Sequence, residues 1–182
     1  MRWLLLAAGG ALALLAFSRR NGAGADLPRM EYTTDDAGMV TLDLPGATVV
    51  TLSPETMDAW RRLEADWPDL ITAKDSYRTT TKGQHFKGKA IDVSIPAAYR
   101  AGKPESIEWR RRFVAAAQRA GFTAFGLGYG TLHIDTGPAR WWSYKGGKDI
   151  GFPAKLSEEF ADRVPPEFRE AGNKVPDLSG IA

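Results

Sequence analysis

Apolar positions repeat every second residue in some stretches of the chain and at helical spacing in others. Val40-Thr41-Leu42-Asp43-Leu44 alternates as a half-buried strand does, Pro45-Gly46 reads as a turn, and Thr48 to Leu52 as a second strand. Ser53-Pro54-Glu55 reads as a helix start, with a capping residue, proline at the first helical position and an acid in the first turn. Met57, Trp60, Leu63 or Glu64, and Trp67 follow at helical spacing, which makes the tryptophans core residues, and Pro68 stops the helix. Ile71 to Tyr77 reads as a strand leading into a polar loop, Arg78 to Gln84, and Lys89 to Ile95 as a further strand. Ser106 is the expected cap of a helix running to Ala120 and ended by Gly121. Phe113, Val114, Ala117 and Ala120 form its apolar stripe, with Arg110-Arg111-Arg112 on a solvated face. Phe122 to Gly130 is glycine-rich and aromatic, Thr131 to Thr136 reads as the last strand, and Gly137-Pro138 ends it. Beyond Lys145 the chain turns polar and proline-rich, with short helices expected near Ser157 to Arg163 and Pro166 to Ala171.

The first residues follow a different pattern. Trp3 to Phe17 is an apolar run of about fifteen residues, short of the roughly twenty that span a bilayer comfortably. Arg2 precedes it and Arg19-Arg20 follow it, and Ala23-Gly24-Ala25 offers small residues for cleavage. A secretory signal peptide and an uncleaved membrane anchor both fit residues 1–20, and a buried helix is a third reading. The pattern therefore divides the chain into this segment, a linker over 21–38, a folded domain over 39–146 and a surface tail over 147–182.

Composition narrows the chemistry. The chain has 182 residues, 43% of them hydrophobic and 25% charged, which suffices for one core without staples. A net charge of +2 argues against a nucleic-acid partner, which calls for a concentrated basic face. There is no cysteine, so disulfides, thiolate metal sites and a cysteine nucleophile are excluded. The two histidines, His85 and His133, are then the only side-chain nitrogen ligands available to a zinc ion.

Strand alternation places them together. In Lys89–Ile95, Ile91, Val93 and Ile95 share one face and Asp92 points the other way. In Thr131–Thr136, Leu132 and Ile134 share one face, and His133 and Asp135 point the other way. If the two strands are neighbours, Asp92 and His133 converge, and Gly88 gives the reversal that returns His85 over the same face. Two imidazoles and a carboxylate make a catalytic zinc set whose fourth place is left to water.

Several phrases also occur in a familiar order. Ser76-Tyr77-Arg78 comes first, then His85 and Asp92 with Gly88 and Ala90 between them, then Gly128-Tyr129, then His133-Ile134-Asp135-Thr136-Gly137-Pro138-Ala139-Arg140-Trp141. This set resembles the zinc D-Ala-D-Ala carboxypeptidases and murein endopeptidases of the Hedgehog/DD-peptidase fold, in the subgroup whose second motif is His-x-Asp-x-Gly-Pro. The resemblance spans roughly Leu70 to Trp142. It implies an α+β domain with a small antiparallel sheet flanked by helices, Zn2+ held by His85, Asp92 and His133, and Arg78 as the group that stabilises the oxyanion. Many family members carry an acid three residues before the second histidine as general base. Here that position is Gly130, and Gly83 stands where relatives often have serine. Asp135 is the remaining candidate base, and orienting His133 is its other possible role.

The resemblance implies a metallopeptidase that hydrolyses peptidoglycan stem peptides or cross-links. Such an enzyme is exported, either periplasmic or anchored facing the wall, or virion-associated if it belongs to a phage particle. Arg78, Lys82 and Lys87 are expected to line a basic groove, and Trp141, Trp142 and Tyr129 to wall the cleft. A domain that holds zinc and grips wall peptides or another protein without cutting is the alternative.

Overall fold

The computed structural model describes residues 32–36, 38–42, 49–79, 82–145, 148–151 and 157–182. The expected signal or anchor, most of the linker and the Pro45-Gly46 turn lie outside them. Among the described residues no helix is long and apolar enough to cross a membrane.

The fold is α+β. A three-stranded antiparallel sheet joins β1 (Tyr32–Thr34), β2 (Val40–Leu42) and β3 (Val50–Leu52), so a strand forms where a linker was expected. The main sheet has six strands in the order β4 (Ala73–Asp75), β5 (Ala90–Ser94), β7 (Thr131–Asp135), β6 (Ala124–Leu127), β8 (Arg140–Lys145) and β9 (Lys148–Asp149). It is mixed rather than antiparallel, because β6 and β8 run parallel. Residues 136–139 carry the chain from the end of β7 past the start of β6 to its far side.

Two long helices, α1 (Pro54–Asp66) and α2 (Ser106–Ala120), pack against each other and supply the cover of one sheet face. Met57, Trp60 and Leu63 from α1 and Phe113, Val114 and Ala117 from α2 share one core with Ile91, Val93, Phe125, Leu132 and Ile134. Burying each large apolar side chain contributes roughly 1.5–3 kcal/mol. Trp60 and Trp67 are buried core residues as their spacing predicts, and Trp67 meets Trp109 edge-on at 5.6 Å, which in turn stacks on Phe113 at 4.9 Å.

Two expectations for α2 change. The helix starts at Ser106 itself, whose hydroxyl donates to the Asp162 carbonyl at 3.0 Å instead of capping. Arg110 does not lie on a wet face but is fully buried, donating to Ser106 Oγ at 3.1 Å and to the Tyr129 carbonyl at 2.9 Å. Burial, with Arg163 nearby, lowers its pKa to about 10. Arg111 behaves as expected for a surface residue, pairing with Glu108 at 2.9 Å and Glu167 at 2.5 Å.

The expected surface tail is instead part of the core. Its short helices, α3 (Glu158–Ala161) and α4 (Pro166–Glu170), bury Phe160 and Phe168, and Val164 and Leu178 are buried beside them. The Phe168 ring lies edge-on to Phe125 at 6.1 Å and to Trp141 at 5.5 Å. Trp141 Nε1 donates to the Gly172 carbonyl at 2.7 Å, and Arg163 Nη1 to the Tyr144 carbonyl at 2.6 Å. The segment is thereby fastened to β6 and β8.

Candidate metal centre

β5 and β7 are neighbours, and Asp92 stands opposite His133 in the register. The apolar partners Ile91 and Ile134 turn into the core, so Asp92 and His133 leave the opposite face together. His85 reaches them from the 84–88 turn. Gly88 there has φ +65°, and a Cβ on it would come within 2.2 Å of Met39 and 2.7 Å of the Ser53 backbone nitrogen. Only glycine fits that reversal. The turn is closed by Gly88 N to the His85 carbonyl at 3.0 Å and Lys89 N to the Gln84 carbonyl at 2.8 Å.

Three atoms meet at the centre. His85 Nε2 lies 3.2 Å from His133 Nδ1 and 3.4 Å from Asp92 Oδ1, and His133 Nδ1 lies 2.9 Å from Asp92 Oδ1. Ligands bound at 2.0–2.1 Å around a tetrahedral ion stand about 3.3 Å apart. The triangle matches that size.

Proton positions follow from the partners. His85 Nδ1 faces the Ser76 carbonyl, which can only accept, so Nδ1 carries the hydrogen and Nε2 presents a lone pair. His133 Nε2 donates to Asp135 Oδ2 at 3.0 Å, so in the neutral ring the Nδ1 lone pair faces Asp92. Two ring nitrogens and a carboxylate oxygen therefore point at one spot, which a metal ion, or a proton in its absence, can fill. Both histidines are held through the far ring nitrogen, as metal-binding histidines usually are. These residues can hold a divalent metal ion, and their burial, with His85 8% and His133 6% exposed, keeps the spot largely dry.

The electrostatics agree. Burial pushes the Asp92 carboxyl up, but hydrogen bonds from His133 and His85 prevail and hold it well below the usual carboxylate range. Burial pulls His133 down, but its bonds to Asp135 and Asp92 prevail and raise it, so without a metal the ring favours a second proton, which a bound cation would displace.

Arg78 also reaches the site, but its guanidinium is engaged by carboxylates. Nε donates to Asp75 Oδ2 at 2.5 Å and Nη2 to Asp92 Oδ2 at 2.6 Å. It thus braces the second oxygen of the ligand Asp92, while Nη1 remains without a partner among the described residues.

Asp135 is differently placed from a general base. It is fully buried, and Oδ1 accepts from Gly137 N at 2.8 Å and Arg140 Nη1 at 3.2 Å. Oδ2 accepts from His133 Nε2 and from Arg140 Nη2 at 2.5 Å. It sits behind the His133 ring, on the side away from Asp92. Burial raises its pKa, but His133 and Arg140 outweigh burial and lower it. Held there, Asp135 orients the His133 ring through Nε2. Asp135→Asn is then expected to weaken metal binding by about 10–100-fold, measured by competition with a chelating dye. Unchanged affinity with lost turnover would return Asp135 to the role of base.

The surroundings divide the other expected residues. Lys82 and Lys87 are exposed, and Tyr129 is 58% exposed at the β6–β7 turn. Trp141 faces the core, whereas Trp142 lies beside the metal centre, its ring 5.0 Å from that of His133. A Cβ on Gly130 would stand 3.6 Å from Arg100 Nε, so an arginine side chain lies beside this position. Sequence reasoning gave no role to Asp75, Arg140 or Tyr144. The period-two set Arg140, Trp142, Tyr144 was the available signal, hidden because β8 was not recognised as a strand. A scan against family models and searches of curated proteins and of solved structures find no match to this chain.

Proposed function

We propose that this chain is a zinc-dependent metallopeptidase acting on peptidoglycan stem peptides or cross-links, in wall remodelling or phage lysis. The observation that carries this reading is the triangle of His85 Nε2, His133 Nδ1 and Asp92 Oδ1, with the far nitrogen of each imidazole held by the Ser76 carbonyl or Asp135. Two histidines and one carboxylate are the donor set of hydrolytic zinc sites that keep a place for water. A bound zinc ion polarises a carbonyl and makes a water nucleophilic near neutral pH.

The chain's own groups supply the rest. Ser76 and Asp135 fix the two rings, and Arg78 holds the free oxygen of Asp92. Arg78 Nη1 keeps its hydrogens for a substrate carboxylate, a group abundant on wall peptides. The resemblance in motif order supports the wall-peptide assignment and, with the apolar N-terminal run, export to the periplasm or a membrane-anchored position.

One observation favours a second reading, a domain that binds zinc and wall peptides without cutting. Asp135 is enclosed, Gly130 carries no acid, and Asp75 is tied to Arg78.

The test is reconstitution. Chain stripped by chelator and given one equivalent of zinc is expected to cleave purified muropeptides, with products identified by mass spectrometry. Zinc uptake and peptide binding without products would select the binding module. Failure to take up zinc would end both readings.

A further inference from the structure

Arg78 is the expected donor to the oxyanion, yet two of its three nitrogens are spent on Asp75 and Asp92. The site face of the sheet holds another donor. In β8, Arg140, Trp142 and Tyr144 alternate onto the face that carries His133 and Asp135. Arg140 bonds Asp135, Trp142 packs on the His133 ring, and Tyr144 meets Trp142 edge-on at 5.9 Å.

The sheet is shaped to admit this phenol. Gly126 in β6 lies between His133 and Trp142 in the register. A Cβ on Gly126 would come within 2.6 Å of Trp142 Cε2 and 2.8 Å of Tyr144 Cε2. One missing side chain thus lets the edges of both rings close onto β6 beside His133. Gly128 continues the bare strip, since its Cβ would stand 3.5 Å from Tyr144 Cδ2.

Tyr144 is half-buried, and its hydroxyl proton meets no acceptor among the described residues. Burial raises its pKa to about 12, against a hydrogen bond with Trp142 and the charge of Arg78, with the charges of Asp92 and Asp149 adding to the rise. The phenol therefore stays protonated at any working pH.

We propose that the Tyr144 hydroxyl donates a hydrogen bond to the carbonyl oxygen of the scissile amide and strengthens it as that oxygen gains charge. This rests on the peptidase reading. No proton is transferred, since the phenol remains a donor throughout.

The experiment compares Tyr144→Phe with the unaltered chain, both loaded with zinc, on one muropeptide. Phenylalanine keeps the ring over Gly126 and removes only the hydroxyl. kcat is expected to fall about 100-fold with KM nearly constant, as for loss of one oxyanion donor. Affinity for a tetrahedral phosphinate analogue of the peptide is expected to fall by a similar factor. Zinc content and Tm are expected to stay unchanged, which a merely structural role would not allow. Equal kcat and equal phosphinate affinity in the two proteins would overturn the assignment and leave the peptidase standing. Absence of turnover in the unaltered chain would overturn the peptidase reading and this assignment with it.

Discussion

His85→Ala is expected to abolish both tight zinc binding and muropeptide cleavage while leaving the domain folded. The loss of zinc affinity should exceed the 10–100-fold that accompanies removal of an outer partner, because a direct ligand goes. His85 projects from a turn rather than from the packed sheet, and its neighbours Phe86 and Lys87 are exposed. Its removal therefore opens little of the core. Asp92 and His133 remain as a two-donor remnant that holds zinc weakly. Equilibrium dialysis followed by elemental analysis reads the metal, and circular dichroism reads the fold. Undiminished zinc binding in this variant would remove the basis of the metal centre.

Phe168→Ala is expected to cost about 3–5 kcal/mol, the usual range for emptying a buried phenylalanine site. The ring is fully buried between Phe125 of β6 and Trp141 of β8, so the void would open beneath the strands that carry the site wall. Lys148→Ala, at an exposed position of the same half of the chain, is expected to stay within about 0.5 kcal/mol. Urea unfolding of the two variants measures the contrast. A loss below about 1 kcal/mol for Phe168→Ala would mean that residues 157–182 pack loosely after all.

The metal centre was legible because two rules acted on few candidates. With two histidines and no cysteine, strand alternation alone set Asp92 and His133 opposite the apolar residues, and the positive φ of Gly88 matches the reversal expected for His85. α1 and α2 were legible from helical spacing and from Pro68 and Gly121 at their ends.

What stayed hidden had no periodic signature. All four residues of β6 are buried, and β8 puts one tryptophan on each face, so neither strand alternates between apolar and polar. The run Arg110-Arg111-Arg112 reads as solvated charge, and only tertiary packing shows Arg110 receiving a hydroxyl and a carbonyl as buried partners. The C-terminal helices are short, and each contributes one aromatic anchor, too few for a stripe. For Asp135, sequence could place the carboxylate on the right face but could not say that Arg140 and Gly137 enclose it.

The four-residue link over 136–139, which vaults the start of β6, also bears on the order of assembly. β6 and β7 are adjacent in sequence and form a local hairpin, a pairing that closes early. β8 can find its slot only on the outer side of that finished hairpin, and α4 seals it from still further along the chain. A nascent chain thus carries His85, Asp92 and His133 before Trp142 and Tyr144, so the candidate metal ligands are all present before their aromatic flank is laid down.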